Sequence, residues 1–430
     1  MRSLAWLLVL ALAAFAEDPE PSCNHCHGQQ RMEHAAGVHA GTLACVDCHG
    51  GNPAARRELA LPGDDPRTPG DLLRAFKEKS HDPAAGYRGK IPRKEVPQLC
   101  ARCHSDPLRM NPFALPTDQL AHYRASSHGR ALFEKNDTNV AVCIDCHGAH
   151  EILAAHDPRA ATAPANLPDT CGACHTDAER MQPYGLSTDG VARFLKSVHG
   201  RALREGRRGA PSCADCHGSH GAAPPGVREV VQVCGQCHVN TQEHYRKSPH
   251  FGSKEMQCRA CHEEEGARYR GAGCTACHGT HETRTPGDWM YQGDEVGRCG
   301  HCHREPDGSQ ELAVAIRDGR QRLQSAMDET RRAIREAKAR GLFLDDEEVY
   351  LRESARALVA AQPLAHSMDR DRIERHMRDG LKRHDRTREV IAKKGNIVRD
   401  RRILVAGLAA LLLLLTVLLA AKLRAVRRLS

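Results

Sequence analysis

The chain has 430 residues and a formal net charge of +8, and aromatic residues make up only 4% of it. So few aromatic residues are thin material for one large hydrophobic core, which argues against a conventional globular protein of this length. The positive charge comes without any nucleic-acid recognition motif, so we expect no nucleic-acid partner.

The first sixteen residues are predicted to be a secretory signal peptide. Arg2 gives a short positive region, residues 4–15 are apolar, and residues 14–16 match an Ala-x-Ala cleavage site. The alternative is an N-terminal membrane anchor, although the apolar run is short for a span. The sequence therefore predicts an exported protein.

Residues 17–305 are dominated by ten copies of Cys-x-x-Cys-His, which together use all twenty cysteines. This pentapeptide is the attachment signature of c-type haem, in which two thioethers hold the porphyrin and the adjacent His is the proximal iron ligand. Zinc ribbons, redox dithiols and a disulfide framework are the alternatives, but a zinc site does not require a His after each cysteine pair. We predict ten covalently bound haem c groups.

The predicted thioether residues are Cys23, Cys26, Cys45, Cys48, Cys100, Cys103, Cys143, Cys146, Cys171, Cys174, Cys213, Cys216, Cys234, Cys237, Cys258, Cys261, Cys274, Cys277, Cys299 and Cys302. The predicted proximal ligands are His27, His49, His104, His147, His175, His217, His238, His262, His278 and His303. About 28 residues per haem are too few to wrap each one alone, so the haems are expected to pack together and to replace the missing core. Their propionates would bring the net charge to about −12.

An internal repeat indicates which other histidines matter. Residues 100–150 match residues 171–220, mostly at an offset of 71, and Gly129-Arg130-Ala131-Leu132 falls on Gly200-Arg201-Ala202-Leu203. Two His contexts recur: an aromatic residue five positions before a His, and Cys-His-Gly-x-His. We predict that these histidines and the equivalent His39 are distal iron ligands, with the Gly letting backbone approach the porphyrin edge. They are His39, His81, His128, His150, His199, His220, His250 and His281.

Eight distal ligands leave two of ten irons unassigned. His34, His366 and His384 are the candidate further ligands, a Met such as Met110 or Met181 is another option, and an open iron is the third. The remaining histidines outside the motifs are expected to be surface or packing residues, or stay undecided.

From about residue 306 to 398 the sequence has no cysteines, many charges and helical periodicity. Three amphipathic helices are expected: residues 311–340, residues 346–361 ended by Pro363, and a third from an N-cap at Asp369 to about Gly395. His366 lies in the second turn of this region and His384 on the third helix. The fold class is therefore mostly α with much irregular structure, a haem-packed domain followed by a helical bundle.

Residues 403–421 carry no charge and are long enough for one transmembrane helix. Basic residues flank it on both sides, so charge alone leaves its orientation ambiguous. Because c-type haem is attached outside the cytoplasmic membrane, the haem domain is expected to face the periplasm, with residues 422–430 as a basic cytoplasmic tail.

With these motifs the chain resembles the multihaem c-type cytochrome superfamily with doubled Cys-x-x-Cys-His motifs, which includes electron carriers, quinol oxidisers, nitrite reductases and hydroxylamine oxidoreductases. The resemblance covers residues 23–303 and implies cofactor and ligation more than reaction. Nitrite reductases commonly attach the catalytic haem through Cys-x-x-Cys-Lys, and all ten motifs here end in His.

The expected function is electron transfer between the membrane, through the quinol pool or a protein partner, and an exported redox partner. The alternative is a multihaem oxidoreductase acting on a small nitrogen or sulfur compound at a five-coordinate haem, so the sequence leaves open whether the protein is an enzyme. The oligomeric state does not follow from the sequence.

Overall fold

The computed structural model describes residues 22–55, 68–225, 227–251, 273–291, 299, 303 and 308–429. The predicted signal peptide and the motif at Cys258, Cys261 and His262 lie outside the described residues, as does Cys302. The described residues are mostly helical and contain no strand, as the sequence predicted. The chain divides into two compact units, Met1–Pro224 and Pro225–Ser430, with the boundary between the sixth and seventh motifs.

The first unit consists of short helices joined by loops. Its α-helices are α1 (Gly28–Ala36), α2 (Cys45–His49), α3 (Pro69–Ser80), α4 (Val96–His104), α5 (Pro107–Met110), α6 (Gln119–Ala125), α7 (Ser127–Glu134), α8 (Cys143–His147), α9 (Leu167–His175), α10 (Ala178–Met181), α11 (Gly190–Lys196), α12 (Val198–Arg204) and α13 (Cys213–His217). Short 3-10 helices accompany them at Ser22–His25, Pro83–Ala85, Arg93–Glu95, Asn111–Phe113 and Gln182–Tyr184.

The helices α4 to α8 and α9 to α13 follow one another in the same order, as the predicted repeat requires. Corresponding contacts recur as well: Arg109 Nη1 donates to Cys103 Sγ at 3.3 Å, and Arg180 Nη1 donates to Cys174 Sγ at 2.9 Å. Buried apolar side chains are few here, and the main cluster contains Val96, Leu132, Val140 and Val142.

The second unit begins with short helices and continues into long ones. Its α-helices are α14 (Val227–Gly235), α15 (Val239–Arg246), α16 (Cys274–His278), α17 (Ser309–Ala339), α18 (Asp345–Ala365) and α19 (Arg370–Leu429), with a 3-10 helix at Asp288–Tyr291. The last three pack against one another as an up-and-down bundle, because short turns join them and their apolar faces meet.

Two apolar clusters hold the bundle together. The upper cluster contains Ile316, Leu323, Ala361, Leu364, Ile373 and Met377, and the lower cluster contains Ile334, Ala337, Leu342, Leu344 and Ile391. Between the two clusters, each helix has a buried polar residue: Thr330 on α17, Ser354 on α18 and His384 on α19. We call these three residues the polar layer.

The second and third helices of the bundle end later than predicted. Pro363 lies inside α18 instead of ending it, and the third helix does not end near Gly395 but runs without interruption through the apolar stretch. The start of α19 was predicted correctly, since Asp369 Oδ1 accepts from Arg372 N at 3.0 Å. Pro363 lies in the last turn of α18, so few backbone hydrogen bonds are lost there. No Pro follows Gly395, so the sequence after it can continue the helix.

Among the described residues, one helix is long and apolar enough to cross a membrane. It is the part of α19 from Arg370 to Arg424, whose most apolar window has a mean hydropathy of 3.0 and is not buried against the protein. The nineteen residues 403–421 would extend about 30 Å, which matches the hydrocarbon thickness of a bilayer.

Candidate haem sites

Each proximal histidine that lies in a described helix stands at the helix end. The five-residue helices α2, α8, α13 and α16 begin at the first Cys of a motif and end at its His. In α4 and α9 the motif forms the last turn of a longer helix. Helical spacing places the two cysteines about one turn apart, so both thiols can reach one porphyrin edge while the His follows at the end.

An Asp between the two cysteines caps three of these short helices. The backbone N–H of Ala44 donates to Asp47 at 2.6 Å, and Val142 N donates to Asp145 at 2.6 Å. The third member, Asp215, accepts from Ser212 N at 2.7 Å. The sequence analysis missed this role, although the signal was visible as Cys-x-Asp-Cys-His in three motifs.

The backbone conformation after four of the motif histidines requires a Gly. Gly50, Gly148, Gly218 and Gly279 all have φ between 65° and 81°, in the region that side chains disfavour. The chain thus reverses directly after the His, and a methyl group at Gly148 would stand 3.1 Å from a backbone oxygen. We had expected this Gly to serve approach to the porphyrin; the turn alone already requires it.

Seven proximal histidines face a second histidine at nearly constant separation. Their ring centroids lie 5.9–6.3 Å apart. An iron bound at about 2 Å by one nitrogen of each of two imidazoles holds the ring centroids roughly 6 Å apart, so these pairs fit the axial positions of a haem. The pairs are His27 with His81, His104 with His39, His49 with His150, His175 with His128, His147 with His220, His303 with His250, and His278 with His366.

These pairs include six of the eight predicted distal histidines and the candidate His366. The partner of His278 is His366, at the C-terminal end of α18. The assignment of all eight as distal ligands stays a prediction. His199 and His281 also lie among the described residues and have interaction partners.

The other two candidate ligands lie elsewhere. His34, on α1, is close enough to the His39 ring and the Cys45 thiol to affect their pKa values. His384 is buried in the bundle, with its Nδ1 3.2 Å from Thr330 Oγ1. Within the described part of the chain, neither ring stands at this separation from a proximal histidine.

Backbone carbonyls hold several of the imidazoles through Nδ1. His49 Nδ1 lies 2.9 Å from Gly89 O, and His366 Nδ1 lies 3.0 Å from Gln362 O. In addition, His150 Nδ1 lies 3.4 Å from a carboxylate oxygen of Glu33. A donating Nδ1–H leaves Nε2 with its lone pair free for a metal, which is the tautomer that ligation needs.

Burial favours the neutral form of several paired histidines. It lowers the pKa of His278 to about 4, helped by the nearby His366. Burial also lowers the pKa of His366, His147 and His128 below the ordinary value. Neutral imidazole is the form that binds a metal, so burial of these four rings favours ligation.

A buried Ser positions the distal histidine in both copies of the repeat. Ser126 Oγ accepts from Gly129 N at 2.9 Å, and Ser197 Oγ accepts from Gly200 N at 2.9 Å. Each Ser is the N-cap of the helix that carries the His two residues later. The two glycines are needed because a methyl group at Gly129 would stand 1.8 Å from Tyr123 O, and at Gly200 2.1 Å from Phe194 O.

Motif cysteines contact one another in four pairs of motifs: first with second, third with fourth, fifth with sixth, and seventh with ninth. The first cysteines hydrogen-bond in pairs, which raises the pKa of Cys23 and lowers that of Cys45 to about 6. The same contact joins Cys100 to Cys143, Cys171 to Cys213, and Cys234 to Cys274.

The second cysteine of a motif connects to the motif after it. Burial and the charge of Cys171 raise the pKa of Cys146 to about 11, and burial with Cys299 does the same to Cys277. Burial and the neighbouring Cys100 likewise raise the pKa of Cys48. The attachment points therefore form a succession through the first six motifs in the first unit, and from the seventh to the ninth and tenth in the second.

Other uses of the cysteines find no support in the described residues. No disulfide joins two of the described cysteines, and no group of three or more His, Cys, Asp or Glu side chains in that part of the chain could hold a metal ion. A structural zinc site needs four such ligands, whereas a haem iron needs only two from the protein.

Comparison with known proteins adds nothing to this description: no protein family, no curated protein and no solved structure matches the chain.

Proposed function

We propose that the chain is a membrane-anchored, exported decahaem c-type cytochrome that transfers electrons between the membrane and an exported redox partner. The ten Cys-x-x-Cys motifs would hold ten haem c groups by thioethers. The paired histidines would complete both axial positions. Bis-histidine haem supplies reversible one-electron chemistry, at a potential set by axial ligand, hydrogen bonding and burial.

The observation that carries this proposal is the contact between successive attachment sites. In four pairs of motifs the first cysteines hydrogen-bond to each other, as Cys23 and Cys45 do. Haems attached at such neighbouring thiols would lie close together. A row of adjacent redox groups is the arrangement that carries electrons over a distance, and a single reaction does not require it.

The chain's own residues would then do three things. The Nδ1 partners, such as Gly89 O for His49, orient the imidazoles. The Ser caps, such as Ser126, fix the helices that carry distal histidines. The Asp caps, such as Asp145, fix the helices that carry thiols, and Arg93 holds Asp145 with two hydrogen bonds of 2.6 and 3.1 Å.

The number of distal histidines leaves room for the enzyme alternative at one iron. Ten proximal histidines face nine distal candidates, because His366 joins the eight predicted from the recurring contexts. An iron without a second histidine could bind a small nitrogen or sulfur compound. This reading would make the chain a multihaem oxidoreductase.

The bundle also bears on the electron donor. His303 and His366 lie where α17 begins and α18 ends, and Gln310 Nε2 donates to His303 O at 3.1 Å. The apolar stretch of α19 begins at the opposite end of the bundle. The 31 residues of α17 separate the two ends by about 45 Å. Since tunnelling falls steeply with distance, we propose that a protein partner, not a quinol inside the bilayer, serves these two sites.

The test is low-temperature EPR of the oxidised, purified protein, with the spin count compared with the haem content. For the carrier all ten haems are expected to be low-spin ferric, which requires one axial ligand beyond the nine distal candidates. A stoichiometric high-spin signal that shifts with nitrite, hydroxylamine or sulfite would overturn the carrier in favour of the enzyme.

A matched pair of variants calibrates this measurement. His366→Ala should convert one low-spin haem to high-spin, because it removes one axial ligand of the His278 site. His156→Ala, at an exposed histidine outside the pairs, should leave the spectrum unchanged. An unchanged spectrum in His366→Ala would contradict the ligand assignment.

A further inference from the structure

The turn between α17 and α18 ends the bundle at the level where α19 becomes apolar. Arg402 Nη2 donates to the carbonyl oxygen of Arg340 at 2.7 Å, and Lys394 Nζ lies 3.5 Å from Phe343 O. The uncharged stretch of α19 begins at Ile403, directly after Arg402. The turn therefore lies beside the first residue of the predicted membrane span.

Phe343 is the most exposed part of this turn. Its side chain is 88% exposed, whereas its neighbours Leu342 and Leu344 are buried in the lower apolar cluster. The backbone between α17 and α18 is not helical here, so alternate side chains point inward and outward. A single exposed Phe needs no explanation on most surfaces, but this one stands next to a predicted bilayer.

The charges at the same level are mostly basic. Arg340, Lys393 and Arg401 are exposed, as is Arg402. The nearby Lys394 is committed to the buried carboxylate of Glu347, at 2.8 Å. Three exposed acids, at positions 345, 346 and 400, oppose this surplus without cancelling it, and the last of them pairs with the exposed Arg399.

We propose that the turn 341–344 is a second contact with the membrane, in which Phe343 enters the boundary between headgroups and acyl chains. The exposed basic side chains around it would meet anionic phospholipids. Aromatic residues favour this depth, and a Phe buried there removes its apolar surface from water. A single helix leaves the bundle free to tilt, and a second contact beside it holds the bundle upright. The inference rests on the proposed anchoring by α19.

The test uses the full-length, haem-loaded protein in nanodiscs of phosphatidylethanolamine and phosphatidylglycerol. Phe343→Cys is labelled with an environment-sensitive nitrobenzoxadiazole dye. The matched control is Val359→Cys on α18, which is 63% exposed and about 20 Å further from the turn. If all native cysteines are thioethers, the unsubstituted protein takes no dye; labelling of that protein would count against the haem proposal, and Phe343→Trp then replaces the dye.

The expected result is a blue-shifted emission at position 343 and several-fold quenching by brominated acyl chains, with water-like emission at position 359. Water-like emission at both positions, in protein that floats with the lipid, would overturn the second contact and leave the anchor intact. Protein that fails to float with lipid vesicles at all would overturn the anchor and the second contact together.

Discussion

The first unit and the helical bundle are stabilised by different means. The first unit is built from helices of 4 to 12 residues, and its main apolar cluster has four buried residues. The bundle is built from helices of 21 residues or more, with eleven buried residues in two clusters. Helices as short as those of the first unit are not stable in water by themselves. We therefore infer that the first unit needs an added core and that the bundle does not.

Hydrogen bonds show the same difference. In the first unit, side-chain caps such as Asp47, Ser126 and Asp145 fix the ends of short helices. Each cap contributes about 1 kcal/mol, which cannot replace a core. In the bundle, apolar packing along three long helices contributes most of the stability. We therefore expect the two regions to respond differently to loss of haem.

The largest expected effect is that of producing the chain without haem attachment. The first unit should be unfolded, while residues 309–398 should keep their helices, because only the bundle buries its own apolar surface. Hydrogen–deuterium exchange resolved by peptide measures both regions in one sample. Protection of residues 96–147 in the haem-free chain would show that the first unit folds without haem. The haem-loaded chain is the control.

A smaller effect is expected from a methyl group at a helix crossing. Gly129→Ala would place a Cβ 1.8 Å from Tyr123 O, so the helix that carries His128 must move. We expect a loss of several kcal/mol, above the roughly 1 kcal/mol typical of single substitutions, and a high-spin haem at His175. Thermal unfolding followed in the Soret band and EPR measure the two effects.

The control for that substitution is Gly70→Ala, at the second residue of α3. A methyl group there meets only Thr68 Oγ1, at an ordinary contact distance of 3.6 Å. Its effect should be neutral or a gain of up to about 1 kcal/mol, since Ala favours a helix. Equal loss in both variants would show that Gly129 has no special role.

Much of the candidate site follows from sequence because the motif is local. Cysteine spacing is fixed within one helical turn, and the repeat exposed His39, His128 and His220 without any structure. The partner of each proximal histidine did not follow. His39 precedes the second motif yet pairs with His104 of the third, and no local pattern encodes such a crossing.

Other features needed three-dimensional packing to appear. The sequence does not distinguish His366 from His384 as a candidate ligand, because the difference depends on which end of the bundle lies near His278. The prediction that the third helix ends near Gly395 is wrong, because a single Gly does not stop a helix. Without a following turn residue or Pro, a helix tolerates a Gly at a cost of about 1 kcal/mol.

The smallest effect is expected for a substitution in the polar layer of the bundle, at His384. His384 is 1% exposed, and its Nε2 is buried without a hydrogen-bond partner. Burial lowers the pKa of His384, and Arg388 lowers it further, whereas Asp385 acts in the opposite direction. The group that contacts it from α17 is the hydroxyl of Thr330, which is uncharged.

Because the folded pKa of His384 is below its unfolded value, the unfolded chain binds the extra proton, and bundle stability should fall as pH drops below about 6.5. His384→Leu should remove that dependence and change stability at pH 7 by about 1 kcal/mol or less, since it replaces an unsatisfied nitrogen by apolar packing. Hydrogen exchange of residues 309–398 at pH 7 and pH 5, corrected for intrinsic rates, measures both. If the leucine variant kept the full pH dependence, His384 would not be the titrating group, and the acids of the bundle would have to carry it.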